Sequence, residues 1–488
     1  MRYRRVLAAL CLAACAFTCV RAAGAATPGV DAPPAAAPPR PLVLPAFTEQ
    51  TLPNGLRVVL APRPGVPIVS APLMVRAGSE ADPPGRAGLA AMTAGLLTKG
   101  ALRGGRPVGA SELARQAEAL GATLESGGGV RSSSLSMTVT TPRLDEALAL
   151  MADALQRPVL APAELARSRA QTLDALKLTL SNPGDVAAMA ARRAFWGASP
   201  YGASATPASL QRLTRADVQR FHARWYRPAN AVLLLAGDLD PADALALAGR
   251  HFSGWKAAPA AEPAAQPAAA PAPPAPPLVW IDMPGSGQSS VVLSAPFVAS
   301  DAPDRRAGEV ANVVLGGGYS ARLSQQIRIQ RGLTYDVRSA VESFPAGGMW
   351  SAQAQTDHPN AAEVLRLMRA ELLRMAQDGP QPEELAARQA LMVGGLARRL
   401  ETTQGLAALL ANQIAQGRPL AALARYADEV MAVTPEQVRS FAGRHWLEGS
   451  LRGVVAGDTS AAGAALGGTE TLRLTLPTLN LESPGLAK

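Results

Sequence analysis

Two stretches of the chain carry the same order of apolar and polar positions, 220 residues apart and without a gap. Residues 213–238 and 433–458 each begin with apolar residues at helical spacing, continue through a polar break, and end in a short apolar run closed by Ala-Gly-Asp. The pattern predicts an amphipathic helix followed by a strand in each copy. Because solenoid repeats span roughly 20–50 residues, a period this long indicates a duplicated domain. We therefore expect two related halves.

Elsewhere, strands are mixed with long helices rather than alternating strictly with them. Asn54-Gly55, between two apolar runs, predicts a β-hairpin whose two turn residues both adopt positive φ. In the first half the pattern predicts further strands at 68–76, 123–125 and 132–140, and helices at 86–97, 111–120, 144–156, 163–180 and 241–252. In the second half it predicts strands at 278–281, 289–295, 333–343 and 349–356, and helices at 306–315, 321–330, 361–377 and 382–399. This order favours an α+β fold of two homologous domains, each an antiparallel-rich sheet with long helices packed on one face.

Segments rich in alanine and proline indicate the domain boundaries. We expect a signal peptide at 1–26, a disordered Ala/Pro tether at 27–46 and a first domain at 47–255. An Ala/Pro linker at 256–277 then joins a second domain at 278–488.

The leader has the layout of a bacterial secretory signal, with a charged start, a short apolar core and small residues up to Ala26. Its apolar run is too short for a transmembrane helix, which needs about 20 residues, and no later segment is expected to span a membrane. The sequence before Cys15 also resembles a lipobox, in which that cysteine would carry a lipid. A soluble periplasmic protein and an outer-membrane lipoprotein both remain open. If the leader is cut after Ala26, all three cysteines are removed, which excludes disulfides and thiol catalysis.

The net charge of +9 does not indicate a nucleic-acid partner. Four of these charges belong to arginines of the leader, and the others are scattered with few aromatic residues beside them. Nucleic-acid binding needs a clustered basic surface or a stacking platform, so we expect none.

Candidate chemistry is sparse. The chain has no Gly-x-Ser-x-Gly elbow, no P-loop and no dinucleotide-binding motif. Its four histidines do not have the spacing of two metal ligands on one helix, and we interpret them as ordinary surface or packed residues: His222, His251, His358 and His445. The sequence supports no self-contained active site.

The order of short motifs is more specific. It comprises Leu52-Pro53-Asn54-Gly55-Leu56-Arg57, Arg76-Ala77-Gly78-Ser79, Gly88-Leu89-Ala90, Ser199-Pro200-Tyr201-Gly202, and the stretches 225–230 and 316–335. This series, over about residues 47–460, resembles the pitrilysin/insulinase metallopeptidases, in the branch that includes the mitochondrial processing peptidase. The resemblance implies that the two domains close into a clam-like shape around a chamber.

Members with activity carry a His-x-x-Glu-His motif directly after the Gly-Leu-Ala, in which two histidines bind zinc and the glutamate activates a water. The matching positions here are Ala91, Met92, Thr93, Ala94 and Gly95, so both imidazoles and the base are absent. The acidic third ligand of the family falls near Asp174, which alone cannot hold catalytic zinc and which we interpret as a solvated helix residue. The resemblance therefore implies that Ala91, Ala94 and Gly95 are degenerate metal-site positions, and that this chain alone is inactive and binds no zinc.

The second half keeps another feature of the family. The resemblance implies that Arg328 and Tyr335, seven residues apart, contact the substrate backbone across the chamber. A guanidinium and a phenol are donors suited to a peptide carbonyl that develops negative charge. The alternative is a solvated arginine and a half-buried tyrosine.

The resulting hypothesis is a non-zinc-binding subunit of a periplasmic peptidase, paired with a homologous zinc-bearing chain that hydrolyses short or unfolded peptides. Two alternatives remain. One is an inactive structural or assembly subunit, and the other is a peptide-binding protein that adds extended segments to a sheet edge.

Overall fold

The computed structural model describes residues 43–256, 276–462 and 471–487. The predicted signal peptide with Cys15, most of the predicted tether and most of the Ala/Pro linker lie outside these residues. Those segments and the exact domain boundaries therefore remain predictions.

The first half is built on a six-stranded sheet with the order β1-β2-β8-β3-β7-β6. All neighbours are antiparallel except β2 and β8, which run parallel. The strands are β1 (Thr48–Thr51), β2 (Arg57–Pro62), β3 (Ile68–Val75), β6 (Glu125–Gly128), β7 (Ser133–Thr140) and β8 (Ala231–Gly237). A separate hairpin joins β4 (Gly100–Arg103) to β5 (Arg106–Gly109).

The second half has a sheet with the matching order β11-β12-β10-β13-β9-β14. Its strands are β9 (Leu278–Asp282), β10 (Ser289–Phe297), β11 (Val337–Phe344), β12 (Gly347–Thr356), β13 (Arg452–Gly457) and β14 (Thr471–Thr475). The two sheets differ at one edge. There β1 pairs antiparallel with β2 as a hairpin, whereas β14 comes from the end of the chain and pairs parallel with β9.

Helices lie between groups of strands in both halves. In the first half they are α1 (Leu89–Leu96), α2 (Ala110–Ala119), α3 (Leu144–Gln156), α4 (Pro162–Ser181), α5 (Pro183–Trp196), α6 (Pro207–Gln211), α7 (Arg215–Trp225) and α8 (Pro241–Phe252). In the second half they are α9 (Arg305–Gly316), α10 (Ala361–Asp378), α11 (Pro382–Leu400), α12 (Thr403–Ala415), α13 (Tyr426–Met431), α14 (Pro435–His445) and α15 (Thr459–Ala462). A π-helical turn at Ser324–Ile329 stands alone between α9 and β11.

The repeated segment has the predicted structure in both copies. Helices α7 and α14 each begin after a threonine, Thr214 and Thr434, whose hydroxyl accepts a hydrogen bond from the third backbone N–H of the helix. The side chain at that third position, Asp217 or Gln437, accepts from the threonine backbone N–H in return, which completes a capping box. The strands β8 and β13 follow. The prediction of two homologous α+β domains is confirmed.

Each half contributes a helix to the other. The helices of a half pack on one face of its own sheet, as predicted, and the opposite face is also covered. In the second sheet Val455 belongs to the core of its own half, while Val454 and Ala456 are buried against α5 of the first half. Small residues on α5, such as Ala187 and Ala190, allow this close approach. In return, α12 of the second half packs against β3 and β8 of the first sheet.

Aromatic rings and hydrogen bonds reinforce the junction of the two halves. Phe344 of β11 stacks on Tyr201, with ring centroids 4.2 Å apart, and also contacts Trp196. Arg131 of the first half donates a hydrogen bond to the carbonyl of Ala415 at 3.1 Å.

The last described segment, residues 471–487, also contacts the first half. Glu482 accepts hydrogen bonds from Arg212 at 2.7 Å, and the Leu481 carbonyl accepts one from Arg193 at 2.7 Å. Each half therefore has a main core of its own, and the two halves share smaller buried clusters and surface contacts.

Three local predictions need correction. In the first hairpin only Gly55 has positive φ, because the Asn54 side chain instead accepts from the backbone N–H of Leu56 and donates to the Phe252 carbonyl. The predicted helix at 321–330 is helical over 322–329, but Ser324–Ile329 form a π-helical turn instead of an α-helix. Helices α5 and α12 were not predicted at all. Among the described residues, no helix combines the length and apolar content needed to cross a membrane.

Candidate functional site

Helix α1 carries the positions of the degenerate metal motif. Its start is fixed by Asp82, whose carboxylate accepts hydrogen bonds from the backbone N–H groups of Gly88 at 2.8 Å and Ala90 at 2.7 Å. Burial raises the pKa of Asp82 to about 7, although those backbone donors act in the opposite direction. The helix is thus positioned by an anchor that does not depend on a metal.

The side chains at the motif positions offer no metal ligand. Ala91 is exposed, Ala94 is fully buried, and a side chain at Gly95 would meet no other atom within 4 Å. Between them, Met92 and Thr93 are buried. Within the described ranges, no group of three or more His, Cys, Asp or Glu side chains could hold a metal ion. The residues present therefore do not fit a zinc ion.

The edge strand β6 lies against this helix. A side chain in place of Gly128 would place its Cβ 2.8 Å from the Ala91 Cα, so only glycine allows this approach. Strand β6 pairs with β7 on one side and forms the end of the sheet order. Its outer backbone groups are consequently available to an added strand.

The other sequence candidates for metal binding lie on structural contacts. Asp174 on α4 is 71% exposed and pairs with Lys177 at 2.8 Å on the same helix, as expected for a solvated face. The histidines bond to separate partners, which are Leu155 for His222, Asp145 for His251, Ser286 and Ser289 for His358, and Asp304 for His445. The interpretation of the four as surface or packed residues agrees with these contacts.

The structure brings Arg328 and Tyr335 together. The Arg328 guanidinium carbon lies 4.8 Å from the centroid of the Tyr335 ring and 4.9 Å from that of Tyr319. The two rings are 85% and 65% exposed, respectively. Across the described residues, the Arg328 side chain has no hydrogen bond or ion pair, so its N–H donors face solvent rather than a protein acceptor. The sequence analysis indicated Arg328 and Tyr335 but not Tyr319, although Tyr319 lies in the same stretch, residues 316–335.

Local backbone structure holds this group in place. Arg328 lies on the π-helical turn, a conformation frequent at functional sites. The turn ends at Ile329, and Gly332 follows with a φ of +64° that suits glycine and an N–H that donates to the Arg328 carbonyl at 2.9 Å. The hydroxyl of buried Thr334 then donates to the Gln355 carbonyl at 2.6 Å and accepts from the backbone N–H of Asp336, while Tyr335 between them is exposed.

Comparisons with known proteins agree with this architecture. The model of the insulinase family (peptidase family M16) matches residues 57–207, and that of the peptidase M16 inactive domain matches residues 212–392. An uncharacterized zinc protease of Mycobacterium leprae is 27% identical, over 80% of this chain and 87% of its own length. The non-peptidase homolog YmxG of Helicobacter pylori is 22% identical, over 76% of this chain and 85% of its own length.

A solved structure is similar over nearly its whole length. The crystal structure of a peptidase M16 inactive domain from Pseudomonas fluorescens is 26% identical, with a TM-score of 0.77. The match covers 85% of this chain and 98% of that one. Together with the two family models, which span most of residues 57–392, this likeness shows that the chain belongs to the insulinase family of peptidases, family M16.

Proposed function

We propose that this protein is the non-zinc-binding subunit of a periplasmic peptidase, and that it contributes peptide contacts and part of a chamber to a homologous zinc-bearing chain. One observation carries the proposal. The chain presents an arginine with free donors between two exposed tyrosine rings, while the positions of the zinc motif hold Ala91, Ala94 and Gly95. A chain with peptide-binding groups but no metal needs a partner for hydrolysis.

The chemistry of the group suits a peptide carbonyl. Stacking on Tyr319 and Tyr335 uses the face of the Arg328 guanidinium and leaves the N–H groups at its edge free to donate. When a carbonyl carbon is attacked, its oxygen gains negative charge, and charge-assisted hydrogen bonds to it strengthen. The phenol O–H of Tyr335 is a second donor, and its exposure allows it to reach a bound chain.

Sheet edges support an extended substrate. Strand β6 lies against the helix of the degenerate motif, and Tyr335 stands two residues before β11, the edge strand of the second sheet. A peptide that pairs with such an edge must itself be extended. Short or unfolded peptides therefore fit better than folded proteins.

The proposed location depends on the leader. A secretory signal at residues 1–26 would deliver the chain to the periplasm, either as a soluble protein or, through Cys15, as a lipoprotein. A Cys15→Ser variant separates the two, because it would release a lipid-anchored protein from membranes and leave a soluble one unchanged.

The catalytic contribution is tested by co-expression with a zinc-bearing homologue and an assay on an unstructured peptide. Arg328→Ala is expected to lower kcat/KM by about 10²-fold, and Tyr335→Phe by a smaller factor, since each removes a donor to the developing charge. Arg366→Ala is the matched control, because Arg366 is an exposed arginine paired with Glu363 on α10. Full activity of both site variants in an intact complex would contradict the role. An assembly without zinc would instead favour the structural or peptide-binding alternative.

A further inference from the structure

The second half contains a large cleft that is separate from the candidate site. It has a volume of about 1510 Å³ and lies between helices α9, α11 and α12 and the segment that leads into α13. None of its lining residues belongs to the degenerate motif or to the Arg328 group.

The lining has an excess of positive charge. Glu309 accepts from Arg305 and Arg306, and Glu429 accepts from Arg306 and Arg425. Two further arginines, at positions 399 and 418, also line the cleft. With Arg444, six arginines stand against five carboxylates, an excess of one positive charge. The Asp304 carboxylate, which also lines the cleft, pairs with Arg444 and His445. The side chains of Asp301 and Glu436 are exposed to solvent.

Arg399 and Arg418 form no ion pair of their own with the residues that the structure describes, and Glu309, whose charge acts on Arg418, is already bonded to Arg305 and Arg306. In the described part of the chain, neither side chain has a hydrogen bond or an ion pair, and the Arg418 Nε is buried without an acceptor. Burial and the neighbouring Arg305 lower the pKa of Arg418 to about 10, which still leaves it charged at neutral pH. A desolvated cation beside like charges is unfavourable, and a bound anion would relieve that cost.

The rest of the lining narrows the class of ligand. Leu391, Met392 and Leu409 add apolar surface beside the guanidinium groups. The volume exceeds the range of about 300–1,000 Å³ that is typical of small-molecule sites. A guanidinium matches the two oxygens of a carboxylate, and a segment with both carboxylates and apolar side chains matches the whole lining.

We propose that this cleft binds an acidic segment of a peptide chain, with its carboxylates on Arg399 and Arg418 and its apolar side chains beside Leu391 and Met392. The site does not require the protein to take part in hydrolysis. Its test can therefore fail or succeed independently of the proposed function.

Fluorescence anisotropy with the mature full-length protein tests the proposal. The probe is a short labelled peptide that alternates Glu with Leu, and its counterpart has Gln in place of Glu. We expect the Glu peptide to bind at least about tenfold more tightly, and added salt to weaken it, because the contacts are ionic. Arg399→Gln and Arg418→Gln should each weaken it by about tenfold, whereas the control Arg366→Gln should have no effect.

Three results would overturn the proposal. They are equal affinity for the two peptides, unchanged affinity in both cleft variants, and displacement of the Glu peptide by inorganic phosphate at a few millimolar, which would indicate a site for small anions. If Arg418→Gln does not fold, the exposed Arg399 decides the outcome, since its replacement leaves the core intact.

Discussion

The shared packing of the two halves leads to a quantitative prediction at Phe344. This residue of the second half is 8% exposed, stacks on Tyr201 with an interplanar angle of 12°, and contacts Trp196, and both partners belong to the first half. Truncating a buried phenylalanine to alanine lowers the free energy of unfolding by about 3–5 kcal/mol. Each ring pair adds about 0.5–1.5 kcal/mol. We therefore expect Phe344→Ala to lower the free energy of unfolding by about 4 kcal/mol. Phe344→Leu keeps most of the apolar volume and should lose about 1–2 kcal/mol.

Urea unfolding, followed by tryptophan fluorescence and by far-UV circular dichroism, measures this effect. In the wild type the two probes should give coincident transitions, since each half covers a sheet of the other. Phe344→Ala should lower the midpoint and separate the two transitions.

The control is Phe252→Ala, at a residue fully buried in the core of the first half alone. It should reduce stability by a similar amount without separating the transitions. A loss below about 1 kcal/mol for Phe344→Ala, or no difference in cooperativity between the two variants, would refute the account of the junction.

Three further predictions concern the fold. Thr214→Ala and Thr434→Ala should each lower the free energy of unfolding by about 1 kcal/mol, because each removes a helix cap, and clearly unequal losses would contradict the equivalence of the two copies. Burial lowers the pKa of His222, so the native state binds fewer protons than the unfolded state. The free energy of unfolding should therefore fall as the pH drops below about 6.5. Thermal denaturation at several pH values should show a weaker pH dependence for His222→Gln. Deletion of residues 471–487 removes strand β14 and three buried leucines, each of which contributes about 1.5–3 kcal/mol when buried, so the melting temperature should fall. An unchanged melting temperature would show that this segment does not contribute to the core.

The sequence predicted the helices and strands that are specified by their own caps and by the spacing of their own apolar residues. The threonine caps and apolar spacing of the repeat specify a helix and a strand in both copies, whereas the short strands β4, β5 and β14 were not predicted. Helix α4 ends at Ser181, close to the end of the predicted helix 163–180, but the helix that follows it was not predicted. Asn182 caps this new helix, with proline at its first position, and the helix packs on the sheet of the other half. The sheet on which this helix packs cannot be identified from the order of residues within one half.

The candidate site was predictable only in part. The family resemblance indicated that Arg328 and Tyr335 act together, but it did not indicate Tyr319. Arg328 lies between the two rings on a π-helical turn, which sequence periodicity does not distinguish from an α-helix. The charged cleft could not be foreseen. Arg305 and Arg418 are more than a hundred positions apart, and only the packing of α9 against the segment after α12 brings them near each other.

The central claim is that this chain lacks its own metal and completes the site of a zinc-bearing homologue. Isolation of the tagged chain from the native periplasm, with metal analysis of the intact complex, tests it most directly. The account predicts a homologous partner, about one zinc ion per pair of chains, and peptidase activity that falls with Arg328→Ala. A zinc-free assembly, or stoichiometric zinc on this chain alone, would contradict it.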